Sequence, residues 1–144
     1  MEIILYRDAY QDELIAMVLE ARIALGLTPS VRADLYDIKA NYLDKGDLFW
    51  LALENHTVIG CLGYSRIGNS NEAFLHRFYV KASRKHQGIG TALLQTAENA
   101  MRDKGITVSR VHLGGPREQW YESYAFYPKN GYEEYEPRYM VKYL

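Results

Sequence analysis

The stretch "YVKASRKHQGIGTALL", Tyr79 to Leu94, joins an aromatic, β-branched run to an apolar helical one through a turn with two glycines one residue apart. Glycine is poor inside helices and strands alike, so Gly88 and Gly90 mark a boundary, with strand before and helix after. From Thr91 the residues Ala92, Leu93, Thr96, Ala97, Ala100 and Met101 recur at helical spacing. Basic residues in the last turn and Gly105 close that helix. A helix N-terminus leaves its first N–H groups without partners and carries partial positive charge. Glycine there lets an anion sit on the backbone, with Lys85 and His86 as cationic or donor neighbours. A glycine pair alone leaves two readings open, a diphosphate cradle or a tight turn that only packs. The sequence lacks G-x-x-x-x-G-K-[ST], and the dinucleotide fingerprint's third glycine is missing.

Working outward, "AFLHRFYVKA" (Ala73–Ala82) reads as the strand that feeds this turn. Before it, "LFWLALE" (Leu48–Glu54) and "VIGCLGYSR" (Val58–Arg66) form a hairpin around "NHT". Ile3–Arg7 is a first strand, and Leu14, Ile15, Val18, Leu19 and Leu25 mark a first helix from Asp12 to Gly26. Ser30 is the expected N-cap of a second helix with the face Val31, Leu35, Ile38 and Tyr42, stopped by Gly46. Beyond Gly105 come a strand (Val108–Leu113), a helix (Arg117–Tyr127) and two short strands around Pro137. Pro128 is expected to end the last helix at Tyr127, because a residue before proline is pushed away from helix. The order is β-α-α-β-β-β-α-β-α-β-β. It predicts an α+β (mixed α/β) fold, a central, mostly antiparallel sheet of about seven strands flanked by about four helices.

Composition narrows the function classes. The 144 residues predict one domain, 1–144, with its own core. With 17 basic against 18 acidic side chains, a nucleic acid is not the expected partner. The apolar runs are too short to span a membrane, and "MEIILYRDAY" does not read as a signal peptide. The single Cys61 excludes an internal disulfide and a thiolate metal cluster, no metal is expected, and the cytoplasm is the expected compartment. Cys61 alternates with apolar neighbours and reads as core, and His56 sits in a hairpin turn. The 13 tyrosines crowd toward the C-terminal quarter.

"YVKASRKHQGIGTALL" after a three-strand meander, together with "AFYPKNGY" near the C-terminus, resembles the GNAT superfamily of N-acetyltransferases. The resemblance covers the element order of nearly the whole chain, and its sequence-specific part runs from Phe78 to Tyr132. It implies acetyl-CoA as cosubstrate and a primary amine, of a small molecule or a peptide, as acceptor; a second copy of the chain stays open as a partner. It implies that the loop Lys85, His86, Gln87, Gly88, Ile89, Gly90 and Thr91 holds the pyrophosphate, with Lys85 standing where the family has Gln or Arg. Backbone groups of Phe78 and Val80 are implied to hold the pantetheine arm as an added strand would.

Acetyl transfer to an amine needs a neutral nucleophile, alignment, a donor for the developing oxyanion and a proton for the departing sulfur. The resemblance assigns the last role to Tyr127. His76, on the strand before the turn, is the candidate base, with Glu72 and His112 as rivals. Glu133, Glu134 and Glu136 are candidates for drawing in a cationic amine. An alternative from another class is a non-catalytic acyl-CoA-binding module or sensor with the same fold, and a third is an interaction domain whose glycines serve packing alone.

Overall fold

Phe49–Glu54 is apolar on both faces, and it is the strand around which the molecule is layered. Successive strand residues point to opposite faces. Phe49, Leu51 and Leu53 therefore enter one core, with Leu14, Met17 and Val18 of the first helix and Leu35 and Ile38 after it. Trp50 and Ala52 enter the other, with Leu93, Ala97 and Met101 of the long helix. The computed structural model describes all residues from Met1 to Leu144.

The strands are β1 (Glu2–Leu5), β2 (Phe49–Glu54), β3 (Thr57–Arg66), β4 (Glu72–Val80), β5 (Val108–His112), β6 (Glu133–Glu136) and β7 (Tyr139–Tyr143). The helices are α1 (Gln11–Ala24), α2 (Ile38–Asn41), α3 (Ile89–Asp103) and α4 (Tyr121–Lys129). The seven strands form one mixed, mostly antiparallel sheet, as the pattern predicts, and their order in it is β1-β2-β3-β4-β5-β7-β6. Only β4 and β5 run parallel, and they pair only from Glu72↔Val108 to Phe74↔Arg110. Beyond Phe74 and Arg110 the two strands part, which opens the sheet at its centre.

Two expectations need correction. The second helix is not continuous from Ser30: the segment is a 3₁₀ turn at Ala33–Tyr36, the single turn α2, and another 3₁₀ turn at Leu43–Lys45. Ser30 caps nothing. Asp37 does, its carboxylate accepting from the Ala40 N–H at 3.0 Å. Gln11 of α1 donates to the Leu35 carbonyl at 2.6 Å, supplying from a distance the partner that a continuous helix would give locally. The second correction concerns Pro128, which lies inside α4 rather than beyond its end. The helix runs on to a glycine stop: Tyr132 N–H donates to the Tyr127 carbonyl and Gly131 N–H to the Pro128 carbonyl, with Gly131 at φ +92°. Proline in the last turn forfeits one hydrogen bond, and this stop secures the end.

A polar knot ties α3 to the far end of the sheet. Glu98, 4% exposed, accepts from Tyr132 Oη at 2.8 Å and from Lys142 Nζ at 2.9 Å, while Ser109 Oγ lies 2.8 Å from Tyr132 Oη. A buried carboxylate that loses a donor keeps its desolvation penalty. Tyr132→Phe is expected to lower unfolding stability by about 1–3 kcal/mol in urea titration. An unchanged midpoint would show that the hydroxyl contributes nothing.

Candidate functional site

The parting of β4 and β5 opens into a cleft of about 1210 Å³, above the roughly 300–1,000 Å³ of ordinary small-molecule pockets. Its floor is the free part of β4, one wall is the turn into α3, and the other is α4 with the segment after β5. A smaller hollow of about 250 Å³ beside Glu54 and Lys81 holds none of the expected site residues.

The turn into α3 is where the glycine pair finds its explanation. Gly88 is at φ +83°, a conformation open mainly to glycine, and a Cβ there would meet nothing in the protein within 4 Å. Gly90 differs: its backbone is helical, and a Cβ would make ordinary contact with the Phe126 ring at 3.5 Å. Its glycine is therefore not demanded by φ. His86 also has positive φ, at +62°. Backbone N–H groups from Lys85 through Thr91 find no acceptor in the protein, and the first to do so is Ala92, donating to the Gly88 carbonyl at 3.0 Å. Such a run of free donors, curled by left-handed residues at a helix N-terminus, has the chemistry of an anion nest.

The side chains around it are partly engaged. Lys85 Nζ stands 3.5 Å and His86 Nε2 3.8 Å from the Glu122 carboxylate of α4. Arg84 donates to Gln87 Oε1 at 3.0 Å and lies 3.6 Å from Glu54. Of the residues expected in the loop that holds the pyrophosphate, Lys85 to Thr91, only Gln87 has no place on the cleft wall. Ile89 shares its side chain with the core.

The floor carries a bulge. Gly63 pairs with His76 and Cys61 with Tyr79, so β4 holds one residue more than β3 between those pairs. The extra length is taken up at Arg77, which has φ +55°. A bulge interrupts the ladder and re-aims the backbone, and this one lies between His76 and Phe78. Asp34 holds the Arg77 side chain in a fork, accepting from Nε at 3.0 Å and Nη2 at 2.9 Å, and Tyr42 Oη donates to it at 2.6 Å. Burial alone would raise the Asp34 carboxyl; hydrogen bonds from Arg77 and Tyr42 outweigh it and hold the group below its ordinary range. Sequence reading missed this pair, whose members stand 43 residues apart.

A depressed carboxyl stabilises the fold above its unfolded pKa of about 3.9, and the contribution is lost as pH falls through the lower folded value. Asp34→Asn is expected to cost about 1–3 kcal/mol at pH 7, nearer the lower figure because the pair is about a quarter exposed. The gap between parent and variant in urea titration should then shrink below about pH 4. A gap that stays constant through the acid range would show that the carboxylate's charge is not what matters.

Of the candidate bases, His76 lines the cleft, and its pKa is lowered by burial and then by the Arg77 charge. It is therefore neutral near pH 7 and able to accept a proton. Glu72 is held by Arg110 Nε at 2.7 Å and is not on the cleft wall. His112 is on the wall, stacked on Tyr139 with ring centroids 4.5 Å apart. Cys61 is buried, donates to the Arg77 carbonyl at 3.1 Å, and its thiol is pushed up to about 12 by burial. It is a core residue, as its alternation predicts. Glu133, Glu134 and Glu136, the candidates for drawing in a cationic amine, lie exposed on β6 and are not part of the cleft wall.

Tyr127 belongs to an aromatic cluster with Phe78, Phe126 and Tyr132, at centroid distances of 6.3, 5.4 and 5.4 Å. It is 6% exposed, lines the cleft, and its hydroxyl has no hydrogen-bond partner in the protein. Burial pushes that hydroxyl well above the usual phenol range, which keeps it protonated. The neighbouring Tyr124 differs: its hydroxyl donates to the Gly115 carbonyl at 3.3 Å.

Comparison with known proteins places this geometry in context. The family model described as "Acetyltransferase (GNAT) family" matches residues 8–132. A spermidine N(1)-acetyltransferase of Thermoplasma acidophilum is 36% identical over 86 residues, 60% of this chain and 50% of that protein. N-acetyltransferase 8B of Rattus norvegicus is 34% identical over 54% of this chain and 37% of its own length. The matches thus span half or less of these curated relatives. Among solved structures, a GNAT-family acetyltransferase from Staphylococcus aureus Mu50 superposes with a TM-score of 0.88 at 26% identity, over 99% of this chain and 98% of that one. PaiA N-acetyltransferase from Thermoplasma acidophilum, solved in complex with coenzyme A, superposes with a TM-score of 0.74 at 26% identity over both full chains.

Proposed function

The chain belongs to the acetyltransferase (GNAT) family, and from that premise we propose that it is an acetyl-CoA-dependent N-acetyltransferase that acetylates a primary amine. The observation that carries this reading is the run of unpartnered N–H groups from Lys85 to Thr91, which opens onto a cleft large enough for a long ligand. Acetyl-CoA supplies the acetyl group as an activated thioester. The nest at Lys85–Thr91 binds its pyrophosphate, and the free edge of β4 at Phe78 and Val80 offers backbone groups to the pantetheine arm.

The remaining residues divide the proton work. His76, kept neutral, takes the amine proton directly or through water. Tyr127, kept protonated, gives a proton from Oη to the departing sulfur. The bulge at Arg77 aims backbone toward the reacting carbonyl, and Asp34 fixes the bulge by gripping the Arg77 guanidinium. We place the activity in the cytoplasm, on a small-molecule or peptide amine, within one domain over residues 1–144.

Calorimetry with acetyl-CoA tests the binding half of the proposal, and an amine panel read by free-thiol release tests the chemistry. Binding and thiol release together are expected. Binding without thiol release on any amine would make the chain an acyl-CoA-binding module, and no heat of binding would end the proposal.

A further inference from the structure

The charged groups that line the cleft are almost all basic. Glu122 is the one acidic side chain on its wall, and Lys85 and His86 already face it. Asp34 is taken by Arg77 and Tyr42. Arg32, between α1 and α2, and Arg138, in the β6–β7 turn, both line the cleft, and neither enters an ion pair. The Arg138 backbone is fixed where it stands, with its side chain exposed. Its backbone is at φ +70°, uncommon for a residue other than glycine, and its carbonyl accepts from the Leu113 N–H at 2.7 Å. That bond sets it at the end of β5, beside the His112–Tyr139 stack. His112 stands two residues beyond the last β4–β5 pair on its strand, as His76 does on its own. This is the end of the cleft away from the turn into α3.

We propose that the acceptor is a primary amine that also carries a carboxylate, held by Arg32 and Arg138, and not a polyamine; this rests on the acetyltransferase reading above. A polyamine brings several ammonium groups, and like charges brought together across a binding surface are strongly unfavourable. Recognition of such a ligand would need free carboxylates in the cleft, and the acidic residues of β6 lie outside it. A carboxylate matches the arginine fork by geometry as well as charge. The same positive surroundings favour the neutral form of the reacting amine. In the transfer, the amine nitrogen bonds the acetyl carbon and the carbon–sulfur bond breaks with its electron pair on sulfur. The proton lost by nitrogen is balanced by the one gained by the thiolate.

The test is a panel of α- and ω-amino acids, each paired with the amine that lacks its carboxylate, together with spermidine. Thiol release gives kcat and KM, and calorimetry of the N-acetylated products on the coenzyme A-loaded protein gives binding independently of turnover. At least one carboxylated amine is expected to exceed its partner and spermidine by about 10-fold or more in kcat/KM, the size of a charge-assisted hydrogen bond. Arg138→Gln and Arg32→Gln should each raise KM for that substrate and weaken its product's binding, with kcat less affected and coenzyme A affinity retained. Preference for spermidine or the decarboxylated amines would overturn the proposal, as would arginine variants that keep the carboxylate preference. Coenzyme A binding with no turnover or product binding from any carboxylated amine also overturns it, leaving the acyl-CoA reading standing. Failure to bind coenzyme A would instead remove the reading on which it rests.

Discussion

Gly88→Val is expected to weaken acetyl-CoA binding by about 10²- to 10⁴-fold while the protein stays folded. Two effects add. Gly88 is at φ +83°, and moving a residue with a Cβ into the left-handed region costs about 1–2 kcal/mol, more for a β-branched one. The backbone can relieve that strain only by turning the nest's N–H groups away from their common focus. A charge-assisted hydrogen bond lost there is worth about 1.5–3 kcal/mol, and each 1.4 kcal/mol is tenfold in affinity. The site for the new side chain is open, with nothing in the protein within 4 Å, so the fold has no steric reason to fail. Circular dichroism and the urea midpoint check the fold, and calorimetry checks the affinity. Gly90→Ala is the companion. Its helical backbone and 3.5 Å clearance to Phe126 predict a far smaller effect from the protein's side. A folded Gly88→Val protein that binds as the parent does would falsify the cradle assignment. Lys85→Ala should lose less, because Lys85 divides its charge with Glu122 and the backbone donors remain.

The contrast between the two glycines shows what a sequence exposes and what it conceals. The strand–turn–helix around Gly88 is local, and its signals are neighbours in the chain: β-branched and aromatic residues, then glycine, then helical periodicity. The β2–β3 hairpin follows from an equally local pattern, because a short turn joins two long apolar runs, whereas the place of β7 between β5 and β6 is set by partners distant in the chain. The second helix is not legible locally, because spacing at Leu35, Ile38 and Tyr42 fits a helix and a chain of 3₁₀ and α turns alike. The deciding contact is the Gln11 amide of α1, which no local pattern announces. The bulge at Arg77 depends on register between β3 and β4, and register is set by partners, not by the strand alone. The grip of Asp34 on Arg77 and the knot at Glu98 join residues far apart in sequence, each an ordinary surface charge until the fold brings its partner. Arg32 and Arg138 share this property: each looks like a solvated loop charge in sequence, and only the fold shows each on the cleft wall.

Tyr127→Phe is expected to lower kcat by about 10- to 10³-fold, with acetyl-CoA affinity changed little. The ring makes the packing contacts with Phe78, Phe126 and Tyr132, and phenylalanine keeps them. What leaves is a hydroxyl with no partner in the protein, so no buried acceptor is orphaned and stability should hold within about 0.5 kcal/mol, the range of a benign substitution. Burial keeps that hydroxyl protonated through the range in which the protein is stable, so its loss should scale kcat without adding a new limb to the pH–rate profile. The expected factor sits at the low end of general acid catalysis because a thiol with a pKa of about 8.5 already leaves readily near neutral pH. Pro128 does not turn the ring aside, since α4 continues through it to Lys129 and the stop at Gly131 holds the turn that carries Tyr127. A fall in coenzyme affinity with kcat intact would make Tyr127 a binding residue. If neither changes, the proton reaches sulfur from elsewhere. Tyr124 is then a poor substitute, since its hydroxyl is committed to the Gly115 carbonyl, and water in the cleft becomes the donor to test by solvent isotope effect.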